Sequence, residues 1–422
     1  MYYREFYKNI LSAKDLGTIE PEYMITRYAY RYKEPLRASI KGSPVAVYTN
    51  IYTCRDELYR YLGVGSDREA YEKLLTALNN PLKPREADFW NYYREASYTL
   101  MDIPFIKYYR EDGGPYLTSS IFIACIDDVC NASYHRVMRY NGYRATVRIV
   151  PRHLHKIYME YSSRDMDTPV AIILGVHPVI EVACAMSPPY GVYELWVANR
   201  LLNNELELVH TPLYNIPVPS TAMVVMEGLL LRETDWEGPF VDILRIPDRR
   251  RMQPVFKLER IYVSTVYEKP YIHAIVPGLE EHLFLMGFPR EALVWDSVRR
   301  VVPGVKAVRL TPGGGCWLHA VISIRKTSDG EPRNAIMAAF TGHPSLKHVV
   351  VVDDDIDVDD PVEIEWAIAT RFQGSRDLVI IPRARGSTLD PSGDDGIVDK
   401  VGIDATRLLD RDERLFHRAP IP

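Results

Sequence analysis

Six short apolar runs between residues 119 and 278 constrain this chain more than any other feature: SSIFIACIDD, YRATVRIV, PVAIILGV, AMVVMEGLLL, ERIYVSTV and YIHAIVPG. Each is rich in β-branched residues and is bounded by turn formers. Strands this short, at this spacing, favour a barrel or sandwich over a doubly wound sheet. The segment following PVAIILGVHP, from Val179 to Met186, reads as a helix across that β structure.

The flanks have a different pattern. Residues 1–40 read as mostly helical, followed by a strand from Val45 to Tyr48, a turn at Asn50 and a helix opening near Thr53. A second helix, DREAYEKLLTALNN, carries its apolar residues at Tyr71, Leu74, Leu75 and Leu78. Towards the C-terminus, HLFLMGFPREALVWDSVRRVVPG is expected to be helical and AVRLTPGGGCWLHAVISIRK to form two strands around a glycine turn. HVVVVDDDIDV is expected as a buried strand ending in acids and VEIEWAIATRF as a helix, with an irregular tail from Gly374. The whole is an α+β chain in three parts, expected at 1–103, 104–295 and 296–422.

Composition removes several functional classes. A formal charge of −5 without a long basic run gives no reason to expect nucleic acid or a membrane surface. The start, MYYREFYKNI, has no apolar core for a signal peptide, and the most apolar segment, 169–185, is interrupted by Gly175, His177, Pro178 and Glu181. Five cysteines without a CxxC pair predict unpaired thiols in a reducing compartment, hence the cytoplasm. Arginine outnumbers lysine and glutamine is nearly absent, a composition that agrees with heat adaptation.

Chemistry concentrates between Asn131 and His155. Asn131 offers an amide oxygen, Arg136 a fixed forked cation and His153 an imidazole just past the strand end at Pro151. In RETDWEGPFVD, Glu237 and Asp242 flank a Gly-Pro turn, and two carboxyls brought together leave one inclined to keep its proton. The Gly313–Gly315 run lacks the Gly-Lys-Ser/Thr of a phosphate loop and reads as a turn. The acids Asp353 to Asp360 lack the glycine and closing glutamate of an EF-hand and read as a solvated loop. No serine-hydrolase or zincin motif is present.

Together these pieces resemble the UbiD family of decarboxylases, which use prenylated FMN. The resemblance rests on Asn131-Ala-Ser-Tyr-His-Arg136, Pro151-Arg152-His153, Glu194 four residues before Ala198, and Glu237-Gly-Pro-Phe-Val-Asp242. It extends to Gly175–Pro178, Lys347-His348 with the strand that follows, Trp366–Ile368 with Thr370-Arg371, and Lys400–Thr406. Asn199 stands where the family has glycine, and ILRIPDRRR replaces the family's usual continuation after the acidic motif. Within that loop, Arg245, Arg249, Arg250 and Arg251 read as solvated; facing a pocket, they would suit a phosphorylated substrate.

The resemblance implies a central FMN-binding split β-barrel between N- and C-terminal α/β parts, the last helping to form a homo-oligomer, a dimer or a hexamer. It implies that Asn131, His153 and Glu194 hold Mn2+ or Mg2+ against the flavin phosphate, with K+ nearby. Lys347 would help neutralise that phosphate, and Arg152, Ala185 and Met186 would contact the flavin. Arg136, Glu237 and Asp242 are the implied catalytic residues: Arg136 binds the substrate carboxylate and Asp242 returns the proton. A separate flavin prenyltransferase is implied as cofactor supplier. HRVM, RIVPRHL and GGGCWLHAVISI are similar to the archaeal branch, which implies decarboxylation of trans-anhydromevalonate 5-phosphate ahead of a hydroxybenzoate-type acid. A flavin-binding carrier or an ordinary FMN oxidoreductase is the reading from another class, and the retained Arg136, Glu237 and Asp242 argue against it.

Overall fold

The computed structural model describes residues 2–419 and divides into two compact units, Met1–Gly63 with Thr76–Leu285, and Val64–Leu75 with Met286–Pro422. The first unit is built on a nine-stranded antiparallel sheet. Eight strands run in the order Tyr116–Leu117, Val137–Arg139, Arg144–Val147, Arg251–Ser264, Val224–Glu237, Thr168–Leu174, Ile121–Ile126, Val129–Tyr134, and Tyr93–Ala96 pairs with the far half of Arg251–Ser264. The chain is therefore α+β, but the expected barrel is an open sheet, whose outer strands do not pair with each other.

Two 14-residue strands, Val224–Glu237 and Arg251–Ser264, form its spine. Their first and last thirds differ. Val224 to Leu230 is almost wholly buried, whereas Arg232 to Thr234 is exposed and the strand then dives back to a buried Glu237. Register shifts after Glu227 and Leu230 make this possible by bending the ladder. Gly228 sits at the first of them, where a Cβ would lie 2.1 Å from the Lys257 carbonyl. Only glycine allows that approach.

Buried apolar residues Phe122, Ile172, Met226, Phe256 and Ile261 join one core with Ile25 of the Met24–Arg31 helix and with Ala38, Val47 and Ile272 of the N-terminal four-stranded sheet. That small sheet corrects the helical reading of residues 1–40. Lys14–Ile19 and Leu36–Ile40 are strands, the second burying every other residue as a half-covered strand does. The helix expected across the β structure is present as Pro178–Met186, opened by Pro178 and ended by Ser187 in the left-handed conformation.

A buried ionic chain ties that helix down. His273 Nδ1 lies 2.9 Å from Glu181 Oε1, and its Nε2 lies 3.0 Å from Glu281 Oε2. Tyr52 donates to Glu181 at 2.8 Å, Thr49 to Glu281 at 2.9 Å, and the Tyr48 ring stacks on the imidazole. Burial alone would discharge His273, but the two carboxylates outweigh it and raise its pKa to about 10.

In the second unit a five-stranded mixed sheet runs Val305–Leu310, His319–Ile324, His348–Asp353, Ile397–Ala405, Leu378–Arg385. Its last two strands lie in the tail expected to be irregular; Leu378–Arg385 escapes a periodicity reading because it is an edge strand with no buried residue. The acids after residue 352 are also not simply solvated. Asp353 is buried, and with Asp355 it binds the buried Arg371 guanidinium at 2.7 and 2.8 Å.

His273 carries a pH signature with a definite sign. Its folded pKa is raised, so its contribution to stability is complete below the ordinary value of 6.5 and is lost as pH rises through about 10. His273→Gln is expected to lower stability by about 3–5 kcal/mol at neutral pH. Urea unfolding at a series of pH values is expected to show that gap closing towards pH 10.

Candidate active site

Arg136 leaves the sheet between the Val129–Tyr134 and Val137–Arg139 strands and meets Glu237 at the end of the long strand. The contact is a fork: Nε donates to Oε1 at 2.8 Å and Nη2 to Oε2 at 2.9 Å. Nη2 also donates to Asp248 Oδ2 at 3.0 Å, and Arg251 Nη1 donates to the same oxygen at 2.5 Å. Phe240 lies under the guanidinium, 4.4 Å from carbon to ring centre. Nη1 of Arg136 is the arm left over, with both hydrogens uncommitted.

The turn after Glu237 is gripped from outside. Asp112 accepts from Val241 N at 2.9 Å, Gly113 N donates to the Pro239 carbonyl at 2.7 Å, and a Cβ on Gly113 would stand 2.3 Å from the Gly238 oxygen. Tyr116 places its hydroxyl 3.1 Å from Glu237 Oε1 and 3.2 Å from the Pro239 carbonyl, within reach of either. None of these was apparent from the sequence. The turn formers in EDGGPY were the only signal, and they do not say what the turn packs against.

Asp248 was missed as well, because its neighbours read as a solvated loop. Arg245, Arg249 and Arg250 are exposed, but Pro247–Asp248 pairs with Phe240–Val241 and carries its carboxylate back to Arg136. Burial works against that charge, and hydrogen bonds from Arg251 and Arg136 overcome it, holding the carboxyl below its usual range. Asp242 behaves differently. Its Oδ1 accepts Leu244 N at 2.8 Å and Ile246 N at 3.1 Å, leaving Oδ2 without a hydrogen bond among the described residues, and burial raises its pKa despite those bonds. Nearby His282 is half-buried and accepts from Gly278 N at 3.1 Å; desolvation and the Arg136 charge lower it to about 4, so it is neutral.

A second cluster forms on the neighbouring strand. Asn131 Nδ2 donates to Glu194 Oε1 at 2.7 Å, and Ala132 N donates to Glu194 Oε2 at 2.7 Å. Glu194 opens the Glu194–Leu201 helix and is 1% exposed; burial raises its pKa to about 8 against these hydrogen bonds. Ser133 Oγ lies 2.8 Å from Asn131 Oδ1 and 3.0 Å from His135 Nε2, while His135 Nδ1 lies 2.9 Å from the Arg148 carbonyl.

His135 is buried and lowered to about 4, so it carries one proton, which the Arg148 carbonyl requires. Ser133 then has one hydrogen for two acceptors. The Ser133 hydrogen goes to Asn131 Oδ1, which keeps its second lone pair open. A buried carboxylate and an amide oxygen in that state fit a hard cation.

His153 is in the first turn of the His153–Ser163 helix, with its ring against Tyr190 and no hydrogen bond to Asn131 or Glu194. Arg152 caps the same helix, exposed, and Ala185 and Met186 end the Pro178–Met186 helix. Among the described residues no group of three or more His, Cys, Asp or Glu stands ready for a metal. Lys347 belongs to the second unit, where it is paired with Asp390 at 2.7 Å and donates to Ser392.

Two departures acquire reasons. Asn199 is buried, and it donates to the Leu82 carbonyl and Asn204 and accepts from Leu206 N, so its amide closes a local network a glycine could not. Cys125 and Cys130, expected as free thiols, face each other across the hairpin and form a disulfide, leaving Cys54, Cys184 and Cys316 free. The cross-strand register brings them together, a relation that cysteine spacing alone did not reveal.

Residues 83–280 match the family described as 3-octaprenyl-4-hydroxybenzoate carboxy-lyase Rift-related domain, UbiD, and residues 283–405 match its C-terminal domain. The chain belongs to the UbiD family of decarboxylases. It is 46% identical to an anhydromevalonate phosphate decarboxylase of Aeropyrum pernix, over 93% of this chain and 90% of that one. The UbiD-class enzyme HmfF from Pelotomaculum thermopropionicum, solved with FMN, superposes with a TM-score of 0.93 at 36% identity, covering 100% of this chain and 96% of that one. An evolved dimeric form of HmfF, solved with prenylated FMN, gives 0.89 at 33% identity, covering 100% and 96%.

The two carboxylates on Arg136 are unequal. Glu237 is fully buried with a forked bond, whereas Asp248 is shared with Arg251. Glu237→Gln is expected to lower stability by about 1.5–3 kcal/mol. Asp248→Asn is expected to cost less, and chemical denaturation of the two variants measures the order.

Proposed function

We propose that this chain decarboxylates trans-anhydromevalonate 5-phosphate to isopentenyl phosphate, with prenylated FMN and a divalent cation, manganese by preference. The likeness to the Aeropyrum pernix enzyme across nearly the whole chain carries the choice of substrate. The arrangement around Arg136 supports the chemistry.

Asn131 and Glu194 would hold the cation, with His153 approaching from the next helix, and Arg152, Ala185 and Met186 would line the flavin. Potassium would sit nearby. The prenylated flavin, when bound, supplies an electron sink for the pair released as carbon dioxide departs. The protein's own contribution is binding, alignment and proton supply. Glu237 and Asp248 fix the Arg136 plane, so its free Nη1 arm is presented to a carboxylate with little orientational entropy left to lose. Phe240 covers one face of that guanidinium and strengthens the pairing by keeping water from it.

Loss of carbon dioxide leaves an electron pair on the former α-carbon, which must take up one proton. Asp242 is suited to deliver it from Oδ2, because burial keeps that carboxyl protonated to higher pH than an ordinary aspartate. Solvent then restores the proton. A flavin prenyltransferase would supply the cofactor, the C-terminal unit would carry a homo-oligomeric contact, and the enzyme would work in the cytoplasm.

The test uses protein co-expressed with a flavin prenyltransferase, assayed for carbon dioxide, released flavin and bound manganese. Turnover of trans-anhydromevalonate 5-phosphate with stoichiometric manganese is expected. Asp242→Asn should keep its flavin and lose about 10²–10⁴-fold in kcat, and Glu194→Gln should lose the metal. Carbon dioxide from a hydroxybenzoate alone, or none from a fully loaded protein, would overturn the assignment.

A further inference from the structure

Arg148 is the cation this site leaves over. It stands one residue beyond the Arg144–Val147 strand and continues that strand's register: Val147 is opposite Val137, and Arg148 N donates to the Arg136 carbonyl at 3.1 Å. Residues opposite each other across an antiparallel pair project from the same face, with Cβ atoms about 4.5–5.5 Å apart. Arg136 and Arg148 are therefore neighbours on one face.

The adjoining strand adds to the same face. Thr146 is opposite Val255, so the register carries Arg148 to Gln253, and Arg251, the next residue on that face, is itself opposite Glu237. Three guanidiniums thus share the face with two carboxylates, Glu237 and Asp248. Arg136 takes both carboxylates and Arg251 takes Asp248. Among the described residues the Arg148 guanidinium bonds only the carbonyl of Ile149, at 3.2 Å, and it is half-buried. Burial and the charges of Arg251 and Arg136 disfavour its cationic form, so an added anion would relieve a standing cost.

We infer that Arg148 reads a second anionic group on the substrate, binding a phosphate at one end of an unsaturated acid whose carboxylate is on Arg136. With bond lengths near 1.5 Å, the carboxylate and phosphate of a five-carbon chain lie roughly 6–8 Å apart. Two neighbouring arginines, each with a flexible stem, span that distance. The inference rests on the proposed phosphorylated substrate and adds the residue that selects it. The exposed Arg245, Arg249 and Arg250, which composition pointed to first, do not share this position in the ladder.

Binding separates this inference from the decarboxylase assignment. Flavin-loaded protein is titrated calorimetrically with trans-anhydromevalonate 5-phosphate and with the dephosphorylated acid, for the parent, Arg148→Gln and Arg148→Lys. The parent is expected to prefer the phosphorylated acid. Arg148→Gln is expected to weaken that acid by about 10- to 100-fold and leave the dephosphorylated one unchanged, which also shows that the site has folded. Arg148→Lys should fall between. A parent without preference, or a glutamine variant that keeps it, overturns the role of Arg148. Failure to release carbon dioxide despite such a preference would count against the proposed reaction instead.

Discussion

The hydrogen-bond ladder between Val224–Glu237 and Arg251–Ser264 is the constraint on which the first unit depends. Its buried end carries core residues such as Val224, Met226 and Tyr262, and its far end carries Glu237 and Arg251 as direct partners. An antiparallel ladder permits no independent adjustment of its two ends, because a one-residue slip would turn every side chain to the opposite face. Packing in the core therefore fixes where Glu237 stands. The register shifts after Glu227 and Leu230 turn the far end without releasing it, and Gly228 lets the backbones close at the bend.

Burying charge is costly unless each charge is answered, and three buried groups show how this protein answers it. Arg136 is held by Glu237 and Asp248, His273 by Glu181 and Glu281, and Arg371 by Asp353 and Asp355. Arg136 and His273 each join segments about a hundred residues apart, whereas Arg371 ties its helix to the strand end just before it. Their value is orientation more than net stability, since apolar replacements of similar shape could pack as well. Glu194 is the exception in kind. Its partners are amide donors without positive charge, which leaves a buried carboxyl and an amide oxygen oriented together.

Much of the fold was legible because periodicity and punctuation are local. Helices Asp67–Asn79, Pro178–Met186 and Pro361–Arg371, and strands such as Thr168–Leu174, announce themselves through apolar spacing, prolines and turn residues. Leu378–Arg385 did not, since an edge strand that buries nothing has no hydrophobic alternation, and Lys14–Ile19 is nearly as exposed. In the site, Asn131, Arg136, Glu194 and Glu237 could be singled out from motif and residue chemistry. Asp112, Tyr116, His135 and Asp248 could not, because each acts through a partner whose proximity no local pattern records.

The sequence by itself determined the α+β class, the family and the chemical inventory: several arginines, several carboxyls and an asparagine in a strand-rich region. Residue type settles those matters wherever the chain may run. The tertiary structure decided which groups meet. It placed Asp248, 112 residues from Arg136, on the guanidinium beside Glu237, while Asp242 turned to its own backbone. It joined Cys125 to Cys130, gave Lys347 to Asp390, and left Arg148 beside Arg136 without a carboxylate. Sheet register and burial make those choices, because a ladder and a packed core settle the positions of distant segments together, and neither exists until the chain has closed on itself.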